Sequence, residues 1–265
     1  MSKIDPKVVR EHFDWRSEEY SNLFDTTTRT GSAYNFQTRQ KITAEIASKH
    51  GGRMLDCASG TGEVTLATLK CGTFESATIN DYSPKMLAHS EKLISSRVDV
   101  PVEFINEDVF DLNHELIGQK FDLILCVGLL AHVGKLEQLL CELRNLVADQ
   151  GTILLQNTSL DHMGIKITKM LSEKRHIKNH GYAIRHYPHR QIEIAADKAD
   201  LVIRDRSCFG LNIPFLDRIT PGMNYRIEKG MSKLGNQLGA ESIYTLTPVK
   251  VKSKKRQESP ARVVS

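Results

Sequence analysis

A stretch near residue 60, MLDCASGTGEVTLATLK, restricts the possible folds more than any other part of this chain. It begins with an apolar run that ends in an acid, Asp56, continues through a turn of small residues, and ends in a helical segment. A strand followed by a glycine-rich turn and a helix holds nucleotide-like ligands at the carboxyl end of a parallel strand. We therefore predict an α/β fold with a ligand site at this turn.

Strand-like and helix-like segments alternate after residue 50. The strand candidates are residues 53–57, 76–81, 102–106, 121–127, 152–156, 201–209 and 242–249. The segments FDLILCV and TILLQ are almost continuously apolar, as expected of parallel strands that are covered on both faces. Helices are predicted from Pro84, behind the cap residue Ser83, and over residues 136–151, ending at Gly151. Repeated β-α units indicate a doubly wound, mostly parallel sheet.

Two segments lie outside or extend this repeat. Residues 1–50 are predicted to form a helical cap, with one helix starting behind Asp5 and another over residues 35–52 that stops at the two glycines. Residues 51–249 form the main domain. Within it, residues 158–200 exceed a normal connection and are predicted to be a lid insertion.

The basic residues are concentrated at the end of the sequence. The formal net charge is +4, but residues 250–265 contain four Lys, two Arg and one Glu, a net of +5. The rest of the chain is therefore close to −1, so nucleic acid is not expected as its partner. The tail is predicted to be disordered and solvated, and contact with RNA or an acidic membrane surface is the alternative.

Apolar content and cysteine spacing indicate a cellular compartment. No apolar run reaches the length of about 18 residues that a membrane-spanning helix needs, and the charged N-terminus has no secretory signal. The cysteines form no CxxC pair and are predicted to be buried free thiols, which favours a cytoplasmic location. They are Cys57, Cys71, Cys126, Cys141 and Cys208.

The glycine turn fits a dinucleotide poorly. Aligning Gly60 with the second glycine of the dinucleotide fingerprint G-x-G-x-x-G puts Glu63 where the third glycine belongs. An acid at the start of the helix also repels a pyrophosphate. An NAD(P)-dependent oxidoreductase is therefore the second hypothesis, and a non-catalytic binding module is the third.

Acidic residues at three strand ends fit another ligand. Asp56 is suited to an ammonium group, Asp81 to the two hydroxyls of a ribose, and Asp108 to the exocyclic amine of a purine. Tyr82 and Val109 offer stacking or apolar surface, and small residues in the turn allow a close approach of the backbone. The small residues are Ala58, Ser59, Gly60 and Gly62. Together these groups predict S-adenosylmethionine (SAM), an amino-acid nucleoside without phosphate.

The order of these motifs resembles the class I SAM-dependent methyltransferases over residues 53–157. The D-x-A-x-G-T-G form is most similar to the small-molecule branch that includes the ubiquinone/menaquinone biosynthesis methyltransferases. The resemblance implies a seven-stranded Rossmann-like sheet whose last strand is antiparallel. It also assigns Tyr20 to the cofactor carboxylate, Val127 to its methionine part, Asp81 to the ribose, and Asp108 and Val109 to the adenine. Arg39 is suited to pair with the same carboxylate, and Met86 is a further candidate cofactor residue.

The segment after the fourth strand candidate, CVGLLAHV, indicates which acceptors to expect. It lacks the Asn/Asp-Pro-Pro-aromatic stretch of enzymes that methylate nucleobases or glutamine, and no pair of glutamates resembles that of the arginine methyltransferases. We therefore predict methyl transfer to O, C or N of a small molecule of the quinone, lipid or secondary-metabolite type. The oligomeric state stays open.

Histidine is the residue type best suited to remove a proton from such an acceptor near neutral pH. His132 follows the fourth strand, and His186 lies in the predicted lid, so these two are the candidate catalytic residues. Four histidines in the lid, at 176, 180, 186 and 189, have a spacing that can suggest metal ligation. No Cys or acid completes that set, and no metal site is predicted.

Overall fold

The computed structural model describes residues 4–214 and 216–249 of the 265-residue chain. The strands are β1 (Gly51–Asp56), β2 (Thr73–Asn80), β3 (Val102–Ile105), β4 (Phe121–Cys126), β5 (Val147–Thr158), β6 (Leu201–Phe209) and β7 (Glu241–Pro248). The helices are α1 (Pro6–Tyr20), α2 (Gly31–Ala47), α3 (Glu63–Cys71), α4 (Pro84–Ile94), α5 (Leu112–Glu115), α6 (Leu130–Val133), α7 (Leu136–Leu146), α8 (Met163–His180), α9 (His189–Lys198), α10 (Leu216–Ile219), α11 (Met223–Gly230) and α12 (Ser232–Leu238). The predicted tail at residues 250–265 lies outside the described residues.

The strands form one sheet in the order β3-β2-β1-β4-β5-β7-β6. Strands β1 to β5 pair in parallel, and β7 is antiparallel to both β5 and β6. The seven-stranded fold with an antiparallel last strand, predicted from the sequence, is confirmed. The strand order reverses between β1 and β4, and ligands bind at such a switch point in open α/β sheets.

Strand β4 shows why the sheet is covered on both faces. Leu123 and Leu125 belong to the hydrophobic cluster beneath α3 and α4, whereas Ile124 and Cys126 belong to the cluster beneath α7. All four side chains are fully buried. Because successive side chains of a strand point to opposite faces, an uninterrupted apolar run fills both layers at once.

The two N-terminal helix caps predicted from the sequence, Asp5 and Ser83, are present in the structure. Asp5 accepts a hydrogen bond from the Lys7 N–H at 2.9 Å at the start of α1. The Ser83 hydroxyl accepts one from the Met86 N–H at 3.1 Å at the start of α4. Each cap is followed by proline at the first helical position, where the missing N–H costs nothing.

Two predicted helix ends were wrong. Helix α7 stops at Leu146 and not at Gly151, because β5 begins at Val147, which pairs with Phe121 of β4. Gly151 lies inside β5, where a Cβ would come 2.7 Å from the Phe121 carbonyl oxygen. Helix α2 ends at Ala47, and the two glycines after it start β1.

The predicted insertion at residues 158–200 contains two helices with different surroundings. Helix α9 packs in the main hydrophobic cluster through Ile192, Ala195 and Ala196. Helix α8 has only two buried residues, Gly164 and Ile165, and contacts α1. Only α8 and the loop that follows it therefore lie outside the regular β/α layers.

Cysteine state and helix composition bear on two further predictions. All five cysteines are free, but only Cys57 and Cys126 are buried; Cys208 is half-buried, and the expectation of burial was wrong for Cys71 and Cys141, which are exposed. They lie on the outer surfaces of α3 and α7, away from the apolar stripes. Across residues 4–214 and 216–249, no helix is both long and apolar enough to cross a bilayer.

The leucine stripe of α7 provides a test of the packing. Replacing Leu143, which is fully buried, with Ala should lower the free energy of unfolding by about 2–5 kcal/mol, because the cavity it leaves cannot close fully. Urea denaturation followed by circular dichroism measures this change. The matched control is Leu238→Ala on the exposed side of α12, which should change stability by less than about 0.5 kcal/mol. Equal effects would contradict the placement of α7.

Candidate active site

The turn after β1 is ordered by the side chain of Asp56. Its Oδ1 accepts a hydrogen bond from the Ala58 N–H at 3.1 Å, and its Oδ2 accepts one from the Thr65 hydroxyl at 2.6 Å. Burial raises the pKa of Asp56 to about 7, against the opposing effect of both hydrogen bonds. The Asp56 carboxylate therefore holds the turn together from inside.

Two other predicted turn residues, Ser59 and Gly62, also support the turn from behind. Gly62 has a φ of +93°, and a Cβ at this position would lie 2.8 Å from Ser90 Oγ. Glycine thus lets α3 begin directly against α4. Ser59 is buried and donates its N–H to the Asn80 carbonyl oxygen at 2.9 Å.

The second predicted acid, Asp81, lies at the end of β2 and faces a cavity. Its Oδ2 accepts a hydrogen bond from the Gly60 N–H at 2.8 Å, and its Oδ1 accepts one from the Ser83 N–H at 2.9 Å. Burial raises the pKa of Asp81 to about 6, although both backbone donors favour the carboxylate. The hydrogen bonds fix the carboxylate between the glycine turn and the start of α4.

Asn80, which the sequence reasoning missed, joins three strand ends. Its side-chain amide donates to the Cys57 carbonyl oxygen at 2.9 Å and to the Glu107 carbonyl oxygen at 3.1 Å. Its Oδ1 accepts from the Glu107 N–H at 3.0 Å. A polar residue that ends an otherwise apolar strand was the available signal in the sequence.

A cavity of about 280 Å³ lies at the carboxyl ends of β1, β2, β3 and β4. Nine of the predicted cofactor residues line it: Tyr20, Ala58, Gly60, Asp81, Tyr82, Met86, Asp108, Val109 and Val127. Four others do not line it: Arg39, Asp56, Ser59 and Gly62. The prediction of a site at the switch point thus corresponds to a cavity, and the four exceptions form the structure behind its wall.

Arg39 is buried behind the cavity and contacts residues that form its wall. Its guanidinium donates to Gln156 Oε1 at 3.1 Å, and the same oxygen accepts from the Gly128 N–H at 2.8 Å. Burial raises the pKa of Tyr20, whereas a hydrogen bond to Arg39 and the charge of Arg39 act in the opposite direction. Arg39 therefore orders Tyr20 and the backbone after β4.

Helix α1 supplies a largely apolar wall, of which the sequence reasoning assigned only Tyr20 to the site. Pro6, Val9, Arg10 and Phe13 line the cavity from one face of the helix. Their spacing is that of one helical face, so the periodicity was visible in the sequence. The helix is attached to the start of α4, where Ser83 Oγ donates to Asp14 Oδ1 at 2.5 Å.

His132, predicted as a candidate catalytic residue, lines the cavity. Its Nδ1 lies 3.0 Å from the Tyr182 hydroxyl oxygen, and its ring meets the Phe13 ring edge-on at a centroid distance of 4.9 Å. Burial lowers the pKa of His132 to about 3, and nearby histidines and Arg39 add to the effect. The imidazole is neutral at physiological pH.

His186, the other catalytic candidate, is not among the residues that line the cavity. Burial lowers its pKa to about 4, and the nearby charge of Lys169 acts in the same direction. Its Nδ1 is buried without a hydrogen-bond partner. Within the described part of the chain, no group of three or more His, Cys, Asp or Glu side chains could hold a metal ion.

Comparison with known families agrees with this geometry. Residues 54–151 match the family model described as a methyltransferase domain. Residues 54–151 thus form a SAM-dependent methyltransferase domain. The predicted enzyme class and cofactor are thereby confirmed, while the roles of individual residues stay predictions. No curated protein matches the chain.

Solved structures with the same fold include several methyltransferases. Magnesium protoporphyrin IX methyltransferase from Synechocystis PCC 6803, with bound SAH, is 12% identical, with 91% of this chain and 98% of that chain covered and a TM-score of 0.63. A mycolic acid cyclopropane synthase complexed with SAH and CTAB is 14% identical, with 92% and 99% covered and a TM-score of 0.63. Mitomycin 7-O-methyltransferase is 13% identical, with 92% and 66% covered and a TM-score of 0.55. At these identities the likeness shows the fold.

The cavity wall of the methyltransferase domain fits SAM better than a dinucleotide. Carboxylates at Asp81 and Asp108 can accept from hydroxyl and amine groups, and the Tyr20 ring lies over Gly60, near the turn. Glu63 occupies the first turn of α3 and accepts a hydrogen bond from the Thr61 hydroxyl at 2.5 Å. A pyrophosphate at this helix start would meet a carboxylate instead of free N–H groups.

The raised pKa of Asp81 predicts a pH-dependent affinity. The carboxylate becomes protonated below about pH 6, compared with an ordinary value of 3.8, and then accepts hydroxyl hydrogen bonds less well. The affinity for S-adenosylhomocysteine should therefore rise from pH 5 to pH 7. Asp81→Ala should weaken binding about 10–100-fold at pH 8 and abolish the rise, because a hydrogen bond to a charged group is lost. Calorimetry measures both effects.

The same raised pKa gives the sign of a stability effect. Because the folded state favours protonated Asp81, its contribution to stability is greatest below pH 4 and is lost as the pH rises to about 6.

The matched control for the binding experiment is Asp205→Ala on the far edge strand β6, which should leave the affinity for S-adenosylhomocysteine unchanged. A pH-independent affinity in the unaltered protein would contradict the role of Asp81.

Proposed function

We propose that this protein transfers a methyl group from SAM to O, C or N of an apolar small molecule of the quinone, lipid or secondary-metabolite type. The observation that carries the proposal is that the wall with the strand-end acids and the apolar face of α1 enclose the same cavity. A polar wall suits the nucleoside, and the apolar wall suits the acceptor. Quinones are among the candidate acceptors because the D-x-A-x-G-T-G turn resembles that of the ubiquinone/menaquinone biosynthesis methyltransferases.

In this proposal the strand ends bind the cofactor. Asp81 accepts from the ribose hydroxyls, Asp108 accepts from the adenine amine, and Val109 packs against the adenine ring. Tyr20 and Val127 contact the methionine part. When bound, SAM supplies a methyl group that is already activated on a sulfonium, so the protein mainly has to position the acceptor and exclude water.

Helix α1 is the element that we assign to the acceptor. Val9 and Phe13 line the same cavity as Leu129 and Val133, and these four side chains form a largely apolar surface. Such a surface holds an apolar ring or chain by removing it from water. The solved structures of similar fold include enzymes named for magnesium protoporphyrin, mycolic acid and mitomycin, which are all small molecules or lipids.

His132 is our candidate for contact with the reacting atom of the acceptor. Its Nδ1 is occupied by the Tyr182 hydroxyl, which leaves Nε2 for a ligand in the cavity. If Nδ1–H donates to Tyr182, Nε2 carries a lone pair and accepts a hydrogen bond from the acceptor, whereas the low pKa makes this imidazole a weak base. Tyr182 then acts as a positioning residue that selects the tautomer.

Calorimetry of the purified protein against SAM, S-adenosylhomocysteine, NAD and NADP tests the cofactor. Micromolar binding of only the two sulfur nucleosides is expected. Binding of NAD or NADP instead would overturn the proposal in favour of an oxidoreductase. Incubation of tritiated methyl-SAM with cell extract, followed by phase separation, tests the acceptor class. Label should enter the organic phase, and label confined to nucleic acid or protein would overturn the small-molecule assignment.

The pair of His132 and Tyr182 predicts the outcome of three substitutions. His132→Gln should lower methyl transfer to the organic phase about 10–100-fold with SAM affinity unchanged, because a hydrogen bond that positions the acceptor is lost. Tyr182→Phe removes only a hydroxyl and should lower the rate of methyl transfer about tenfold, because that hydroxyl then no longer selects the tautomer of the His132 imidazole. The matched control, Tyr187→Phe in the same segment, should have little effect. A loss of SAM affinity in His132→Gln would contradict this role.

A further inference from the structure

Helix α8 exposes an unusual number of large apolar side chains. Met163, Met170 and Leu171 are 65%, 76% and 61% exposed, and Ile167 and Ile177 are also exposed. Residues 163, 167, 170 and 171 follow the i, i+4, i+7, i+8 spacing and therefore form one stripe on the outer face of the helix. Soluble proteins rarely leave such a stripe uncovered unless it meets a partner.

The same helix is strongly basic. It contains five cations, of which Lys166, Lys174, Arg175 and Lys178 are exposed, and a single acid, Glu173, which pairs with the fifth cation, Lys169, at 3.8 Å. The net charge of α8 is thus +4 with its histidines neutral, whereas the chain before residue 250 is close to −1. Positive charge in the main domain is therefore concentrated on the element that also exposes apolar side chains.

An exposed tryptophan lies on α1, the helix that the last turn of α8 contacts. Trp15 of α1 is 72% exposed, and its ring centroid lies 6.4 Å from that of His12. The His12 ring in turn meets the His180 ring of α8 at 4.5 Å. Tryptophan is favoured at the boundary between water and lipid, because the ring is largely apolar and its N–H can stay hydrated.

We propose that α8, with Trp15 beside it, binds the surface of a lipid bilayer that contains anionic phospholipids. Met163, Met170 and Leu171 enter the boundary between headgroups and acyl chains, while the basic side chains contact the phosphates. Lys174 and Lys178 continue the helical spacing of Ile167, Met170 and Leu171, so basic and apolar side chains share one exposed face and can reach the same bilayer surface. Charge complementarity selects the anionic bilayer over a neutral one.

The position of α8 connects this surface with the candidate active site. Its last turn packs through His180 on His12, and α1 forms the apolar wall of the cavity. A bilayer bound by α8 and Trp15 would therefore contact α1 directly. The docking itself does not depend on the acceptor, but its consequence, that the acceptor is drawn from the bilayer, rests on the proposed function.

Vesicle sedimentation of the full chain tests the docking. The probes are vesicles of phosphatidylcholine alone and of phosphatidylcholine with phosphatidylglycerol. The protein should bind only the anionic vesicles, and more weakly at high salt. The double substitution Met170→Asp with Leu171→Asp should lower binding at least about tenfold, and the triple reversal Lys174→Glu, Arg175→Glu and Lys178→Glu should do the same.

The matched control is Ile117→Asp with Ile219→Asp, since both side chains are exposed and apolar but lie outside α8. All variants should keep the melting temperature and the affinity for S-adenosylhomocysteine, which separates loss of docking from loss of the cofactor site. Unchanged vesicle binding in the α8 variants would overturn the proposal, because another segment would then be responsible. Dimers that dissociate on Met170→Asp, without vesicle binding, would overturn it in favour of a second copy of the chain.

Discussion

The hydrogen bonds of Asn80 are the interaction on which the rest of the site depends. One buried amide at the end of β2 holds the backbone after β1 and the backbone after β3 at fixed separations. The adjacent Asp81 holds the glycine turn and the start of α4. Because parallel strands end at the same edge of the sheet, these two neighbouring side chains are enough to join the loops that enclose the cavity.

Much of the fold could be predicted because the sheet is buried on both faces. An apolar run such as that of β4 is stable only where both of its faces are buried, as they are inside a sheet with helices on both sides. All seven strand candidates correspond to strands. The boundary between α7 and β5 was missed because it depends on a distant residue. Val147 has an extended backbone because it pairs with Phe121 of β4. The local sequence pattern around Val147 is equally compatible with another turn of α7.

The site could be predicted in part for a similar reason. Asp81 and Asp108 follow strands of the parallel sheet, and all such residues lie at the edge where the strands have their carboxyl ends. Arg39 and Gly62 could not be separated from ligand-binding residues by sequence, because their partners, Gln156 and Ser90, are distant along the chain. The wall from α1 was missed because its helical spacing describes a face packed in the core equally well.

The hydrogen bond between Ser83 and Asp14 has a kinetic consequence. Helix α1 lines the cavity and contacts α4 through this hydrogen bond at the helix cap, next to the carboxylate of Asp81, and through Glu18, whose carboxylate lies 3.8 Å from His89 Nε2. Any movement of α1 away from the cavity would break the hydrogen bond between Ser83 and Asp14. The speed of such an opening would therefore depend in part on the strength of this hydroxyl–carboxylate contact.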